Sequence, residues 1–509
     1  MYIKHRFGKI LAIMLVTVVF VNFTGYDVAL AAGYSAYAYS LNLKPEDSDE
    51  FIDRIRAESS SYTSSNSAVR YSTEVTQSHF ESNTHNIKYW ASEGNSYGNI
   101  WSNDSRSHVD FYLSDLNLKS KWGGNSSSNL EFLFLAACNL VNGEGSNPRK
   151  LLANAMIGPG AMRAICGYHS YAPSDADLQV VEKFMDYAET GESVKSSWMQ
   201  ANEYVYHYGT GARSNCKNYI VLTHDNNSQY SRFPGFPGNT YSRPTSSTSI
   251  VRFSRSFPNG NDQELTGLSL KESLTAEQRA KLQSMIPENL PTLRPSDVTL
   301  AAVEYTHLVP DTGDVIAITN DEIKDASLTI TESAAKQAAL SHIVTAYSGI
   351  ESSDLQSSVI EIAPIVKAEI NLTGNADTET ETIVAYVVNI QNQYSGIPID
   401  GSVFSVTVDD AGIPFSSGKW VRVQPTDISV RDEKKPILID DVIQTLDNQM
   451  ISYQTKNAGA AGETLSSTIQ ECEVIYKLDK ASGMYRPVFR FCMQDGISYD
   501  VDLLTLQIA

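Results

Sequence analysis

Between residues 34 and 225 apolar runs of strand length alternate with amphipathic runs of helical period, and this order restricts the fold more than any other feature of the 509-residue chain. Tyr34–Leu43 is expected to be a strand and Asp47–Glu58 a helix. Asn86–Ala91 reads as a second strand that runs into a turn at Ser92–Gly98, and Glu131–Asn139 as a third, almost wholly apolar one. Asn147 and Pro148 then open a helix, Asn as its cap and Pro at the first helical position, where an N–H is not needed. Ala164–Tyr168 is the next strand. Ser174 caps a helix with Leu178, Val181, Met185 and Ala188 at helical spacing, Gly191 stands just past its end, and a further helix from Ser193 carries Val194, Trp198 and Ala201. Strands separated by helices pair in parallel, because the helix is the crossover, and a parallel sheet needs cover on both faces. The amino-terminal half is therefore expected to be α/β, with a mainly parallel sheet.

Cys138 ends the third strand, which puts its thiol at the carboxyl edge of the sheet, where open α/β folds place their ligands. Three readings fit a cysteine there. It is a nucleophile, or a small buried or disulfide-bonded thiol with Cys166 as an available partner, or the remnant of a site no longer used. A nucleophile needs a base or a cation beside it. Glu93, followed by Gly94, stands in the turn after the preceding strand, and a carboxylate beside a thiol raises the thiol pKa. His85 lies eight residues before Glu93, roughly 26 Å along an extended strand, so His169, just beyond the fourth strand, is the better-placed histidine. No H-E-x-x-H, C-x-x-C or G-x-x-x-x-G-K-[ST] pattern occurs, and no metal or cofactor is expected.

Taken in order, a strand into a Gly-rich turn, an apolar strand ending in Ala137-Cys138, the strand Ile165-Cys166-Gly167-Tyr168, and a helix followed by Gly191-Glu192-Ser193-Val194 and Trp198 resemble a known family. The family is the caspase-like clan CD of cysteine peptidases, with gingipains, legumains and their bacterial relatives. The resemblance covers roughly residues 33–225. It implies Cys138 as nucleophile and a His-Gly pair in the turn after the earlier strand, where this chain has Glu93-Gly94. The family's dyad is thus altered. On this resemblance amides near Gly94 and Cys138 would hold an oxyanion, His169 would have to move protons, and the substrate would be a peptide or protein. Where hydrolysis is lost, the same edge would bind a peptide or partner uncut. The alternative is a wholly non-enzymatic extracellular binding protein.

Residues 1–31 read as a signal peptide: Lys4, His5, Arg6 and Lys9 precede an apolar run from Ile10 to Phe23, and Ala29-Leu30-Ala31 offers a cleavage site. The run falls short of the roughly 20 residues that span a bilayer, so a secreted mature chain without a membrane span is expected. With 39 basic against 59 acidic side chains, a net charge of −20 and no basic cluster, nucleic acid and anionic membrane surfaces are poor partners.

Residues 226–260, which hold Phe233-Pro234-Gly235-Phe236-Pro237-Gly238 and the polar run Ser242–Ser249, read as a linker or long loop. They separate a domain at 32–225 from α+β modules at 261–425 and 430–509. In the first module Glu332–Tyr347 is helical, and strands Val384–Ile390 and Val403–Asp409 flank a turn at Tyr394–Gly401. The stretch Ile390–Gly412 resembles the fungalysin/thermolysin propeptide (FTP) module, with its Gln-Tyr-x-Gly-Ile-Pro-x-x-Gly run and a strand into Val-Asp-Asp-x-Gly. In the second, a helix near Ile439–Met450 precedes strands Cys472–Leu478 and Met484–Cys492, and Arg486–Phe491 with Tyr499–Asp502 resemble the closing strands of PepSY-type domains. These resemblances imply modules that bind, restrain or help fold peptidases, or that bind a wall or partner. Cys472 and Cys492 are symmetric about Ser482, so a simple hairpin would face them across the strands within disulfide range.

Overall fold

The computed structural model describes residues 34–508 apart from breaks at 42–44, 103, 105, 143–147, 174–175, 212, 225–227, 239–248, 256–267, 270–273, 289, 297–300, 303–305, 310–313, 319–322, 324–326, 371, 373–378, 427–435, 458–467 and 494–497. The expected signal peptide and the caps at Asn147 and Ser174 lie outside the described residues. The first ten strands are β1 (Ala36–Ser40), β2 (Ser67–Tyr71), β3 (Ile87–Ala91), β4 (Glu93–Gly94), β5 (Asn99–Trp101), β6 (Asp110–Tyr112), β7 (Phe132–Ala136), β8 (Ala164–Tyr168), β9 (Tyr219–His224) and β10 (Ile250–Arg255). The helices among them include α1 (Glu46–Glu58), α2 (Gln77–Glu81), α3 (Pro148–Met156), α4 (Asp177–Glu189) and α5 (Val194–Tyr208), with one short turn of helix at Leu118–Lys121. Strands β2, β1, β3, β7 and β8 lie side by side in that order, all parallel. From β8 onward the pairing turns antiparallel, through β9 to β10.

Alternation along each strand sorts side chains between two cores, as period-two geometry requires. Phe132, Phe134 and Ala136 of β7 join Cys166 and Tyr168 of β8 on the first face, under Phe51 and Ile55 of α1, Phe184 of α4 and Trp198 of α5. Leu133 and Leu135 join Ile165, Ile220 and Leu222 on the second, with Leu152 and Met156 of α3. Both faces of the parallel part are covered by helices, in keeping with the α/β expectation. Lys88 of β3 is also fully buried. Its ammonium donates to the carbonyls of His79 (2.9 Å), Phe80 (2.8 Å) and Ser82 (2.6 Å), the free acceptors at the end of α2.

The stretch 226–260 is not only a connector. Its last part is β10, with all six residues buried, and β10 pairs with β9 on one side and with β11 (Val359–Ile370) on the other. Strands β12 (Glu379–Tyr394), β13 (Ile397–Asp409) and β14 (Gly412–Gly418) continue the same sheet antiparallel, with α6 (Glu332–Ala346) packed on it. The first core is shared, since Ile365, Val384, Val387 and Phe415 belong to the cluster that holds Trp198. The turn expected over Tyr394–Gly401 shrinks to Ser395 (φ 50°) and Gly396 (φ 84°), a two-residue hairpin in which both centres take positive φ. Pro398 lies inside β13 opposite Gln393, beside a bulge.

A third core, built on α7 (Ile439–Asn457) and strands β15 (Thr468–Asp479), β16 (Met484–Met493) and β17 (Ser498–Asp502), also takes in Leu282, Leu293 and, from β13, Ile397 and Ile399. The expected Cys472–Cys492 disulfide is overturned by register. Asp479 pairs with Met484 across the turn, so Cys472 faces Phe491 and Cys492 faces Glu471. An offset of one residue sends the two thiols to opposite faces. Cys472 Sγ lies 4.0 Å from Met285 Sδ, Ser498 Oγ donates to Cys492 Sγ at 3.3 Å, and none of the five cysteines is in a disulfide. Among the described residues no helix is long and apolar enough to cross a membrane.

Candidate active site

The parallel register brings the residues in question to one edge. Ala91 of β3 pairs with Ala136 of β7, so Glu93 and Cys138, each two residues further on, leave neighbouring strands at the same level. Phe134 pairs with Cys166 of β8, which by continuation sets Cys138 beside Ser170 and Ala137 beside His169. The turn after β7 is shaped by Asn139, whose φ of 59° is left-handed, a conformation Asn tolerates better than most side chains. Its N–H donates to the Ser170 carbonyl at 2.7 Å. Gly94 packs directly on this turn: a Cβ there would stand 2.6 Å from the Cys138 carbonyl oxygen and 2.8 Å from Leu140 Cγ. Close approach of two loops accounts for the glycine.

Cys138 Sγ accepts the Ala172 N–H at 3.3 Å. Burial pushes the thiol up to about 11, with Glu93 adding to the rise, and the Ala172 hydrogen bond offsets only part of it. Among the described residues no cation acts on it. The loop that supplies this amide is held from behind, because Asn215 Nδ2 donates to the Ala172 carbonyl at 3.4 Å and Asn218 Nδ2 to the Tyr171 carbonyl at 3.2 Å.

His169 reaches the edge but not the thiol. Alternation carries its ring to the second face, with Ile165, whereas Cys138 follows Phe134 and Ala136 on the first. Burial and then Arg252 and Arg149 push the ring down to about 4. Those two guanidiniums share Glu379 of β12, at 3.0 Å and 2.7 Å, so His169 borders an ion-pair cluster at the junction with the carboxyl half. The His169 pairing with Cys138 expected from chain order is therefore not assembled. Cys166 does not bond to Cys138 either; it lies four residues back along the neighbouring strand, in the core.

Residues not singled out from the sequence complete the first face of the edge. Tyr89 of β3 donates its hydroxyl to Asp47 Oδ2 at 2.8 Å, and the Ser48 N–H donates to Asp47 Oδ1 at 2.7 Å. Burial raises the Asp47 carboxyl to about 6 against these hydrogen bonds. Asp177, at the start of α4, acts on the hydroxyls of Tyr89 and Tyr168 and on the Cys216 thiol. Tyr168 donates to Asn202 Oδ1 at 3.1 Å. The pointer available in the sequence was position: Asp47 and Asp177 each open the helix that follows a strand of the parallel sheet. Chemically this edge presents carboxylates and phenols around a protonated thiol. Among the described residues no group of three or more His, Cys, Asp or Glu is arranged to hold a metal ion.

Residues 33–241 match a family described as "Domain of unknown function (DUF6345)". The match takes in Glu93, Cys138 and His169 and stops short of β10. No curated protein matches the chain.

Proposed function

We propose that this chain is an exported, caspase-like protein of the clan CD type whose cysteine site binds a polypeptide without cutting it. The observation that carries the reading is the pair at the sheet edge: Glu93 stands level with Cys138 where the family would place a histidine, and His169 lies on the opposite face. Burial and Glu93 push the thiol up to about 11, which keeps it protonated at pH 7, whereas a nucleophile must act as thiolate. The FTP-like and PepSY-like modules fit a permanent role better than a removable restraint. Strand β10 stands between β9 and β11, so the FTP-like sheet is an extension of the sheet that carries Cys138.

The test compares the full chain with Cys138→Ala on a panel of peptides that vary the residue before the scissile bond. Both are expected to stay at background. Iodoacetamide labelling of Cys138 should be slow at pH 7 and rise steeply only toward the alkaline range, and Glu93→His should speed it at neutral pH by removing a like charge. Cleavage that disappears with Cys138→Ala would overturn the reading.

A further inference from the structure

Immediately after β3 the chain builds a small antiparallel sheet from β4, β5 and β6, and its outer face carries a row that the cysteine chemistry does not use. Glu93 pairs with Trp101, and Trp101 pairs with Asp110. Directly opposed residues project to one side of a sheet, with Cβ atoms roughly 5 Å apart, so an indole stands between two carboxylates. The next row on that face is Asn99 opposite Tyr112. The inner face, Ile100 and Phe111, is buried in the second core.

Trp101 differs from the other four tryptophans. Trp90, Trp122, Trp198 and Trp420 are at most 2 % exposed, whereas Trp101 is half-buried and belongs to no core cluster. Among the described residues its ring meets no other aromatic ring and its indole N–H has no hydrogen-bond partner. Asp110 is exposed and makes no ion pair among the described residues. Tyr112 is 45 % exposed and Tyr97, in the adjoining turn, 61 %. The Asn99 side-chain oxygen lacks a donor.

From this row we infer that the small sheet is a recognition surface for an arginine- or lysine-bearing polypeptide segment, one basic side chain lying on Trp101 between Glu93 and Asp110. An indole is the strongest cation–π partner among side chains, and the exposed Asp110 carboxylate supplies acceptors for a guanidinium fork. A chain of net charge −20 draws basic segments toward it before contact. Glu93 belongs both to this row and to the Cys138 edge, so a segment anchored on Trp101 continues toward Cys138. The inference rests on the reading of that edge as a polypeptide site and names the chemistry of its partner.

The experiment uses the full chain and a fluorescein-labelled Gly-Arg-Ser repeat peptide, with a citrulline version in which each guanidinium becomes a neutral urea of the same shape. The arginine peptide is expected to bind about tenfold more tightly than the citrulline one, the ratio that corresponds to one cation–π contact with a carboxylate beside it. Trp101→Ala should weaken arginine-peptide binding about tenfold, Trp101→Phe should restore part of it, and Asp110→Asn, at an exposed position, should weaken it several-fold. Bound peptide should also shield Trp101, the one half-buried tryptophan, from acrylamide quenching. Equal binding of the two peptides, or unchanged binding by Trp101→Ala and Asp110→Asn, would overturn the inference. Shielding by a chitin oligosaccharide but not by the peptide would replace it with glycan recognition. Cleavage of a peptide that still needs Trp101 would sink the uncut reading and leave this one standing.

Discussion

Asp47 is a carboxylate that the sheet edge keeps without a cation. It accepts from Tyr89 and Ser48, yet burial raises its carboxyl from 3.8 to about 6. The folded state therefore holds the Asp47 proton where the unfolded chain has lost it. This contribution to stability is fully present below pH 3.8 and is lost as pH rises through about 6. Asp47→Asn keeps an acceptor and removes the ionisation, so it is expected to stabilise the protein at pH 7 by on the order of 2 kcal/mol. Its advantage over wild type should shrink as pH falls from 6 toward 4, as urea titrations across that range would show. A constant difference at every pH would mean that Asp47 is ionised at little cost. The same edge holds Cys138 protonated, and both groups follow from one cause: burial on the first face with no positive charge brought to it.

At the scale of elements, β10 decides how the two halves are joined. Its residues alternate, Val251 and Phe253 toward the first core, Ile250 toward the second, with Arg252 and Arg255 tied by ion pairs to Glu379, Glu203 and Glu361. Strand β9 is buried throughout and depends on β10 to cover its hydrogen-bonding edge. A chain ended at residue 249 is thus expected to aggregate, whereas one that retains β10 and the carboxyl half stays soluble; a monodisperse truncated product in size-exclusion chromatography would refute the dependence. The alternation of β10 was present in the sequence but stood at the end of a Ser- and Pro-rich stretch, and its partner β11 lies more than a hundred residues away. Local pattern did locate β3, β7 and β8, the helices α1, α4 and α5, and the edge that holds Glu93 and Cys138, because period and punctuation are local properties. Which face His169 takes depends on the register between strands, and that is tertiary. The same holds for Cys472 and Cys492, where a four-residue turn shifted the pairing by one. Trp101 stood in the sequence as one tryptophan among five, and only the pairing of β4, β5 and β6 sets it between two carboxylates.

Across the whole molecule, Asp400 joins three parts. It lies in β13 and pairs with Arg213, from the short helical turn Arg213–Asn218 behind the Cys138 edge, and with Arg490 of the last module at 3.1 Å. Arg490 is held in turn by Asp500 at 2.8 Å. Burial opposes ionisation of Asp400, but the two guanidiniums outweigh it and hold the carboxyl well below its usual range. The resulting stability is present above pH 3.8 and is lost as pH falls below it. Asp400→Asn leaves buried Arg490 and half-buried Arg213 short of a counter-charge and is expected to cost about 3 kcal/mol at pH 7, with the gap to wild type narrowing below pH 4 in urea unfolding. A second consequence follows from the connection. Asn215 and Asn218 of that helical turn fasten the loop whose Ala172 amide meets the Cys138 thiol, so loosening Arg213 loosens the loop. Asp400→Asn should therefore raise the rate at which iodoacetamide reaches Cys138, under conditions where the protein remains folded by circular dichroism. An unchanged rate alongside the expected loss of stability would show that the carboxyl modules brace the molecule without acting on its candidate site.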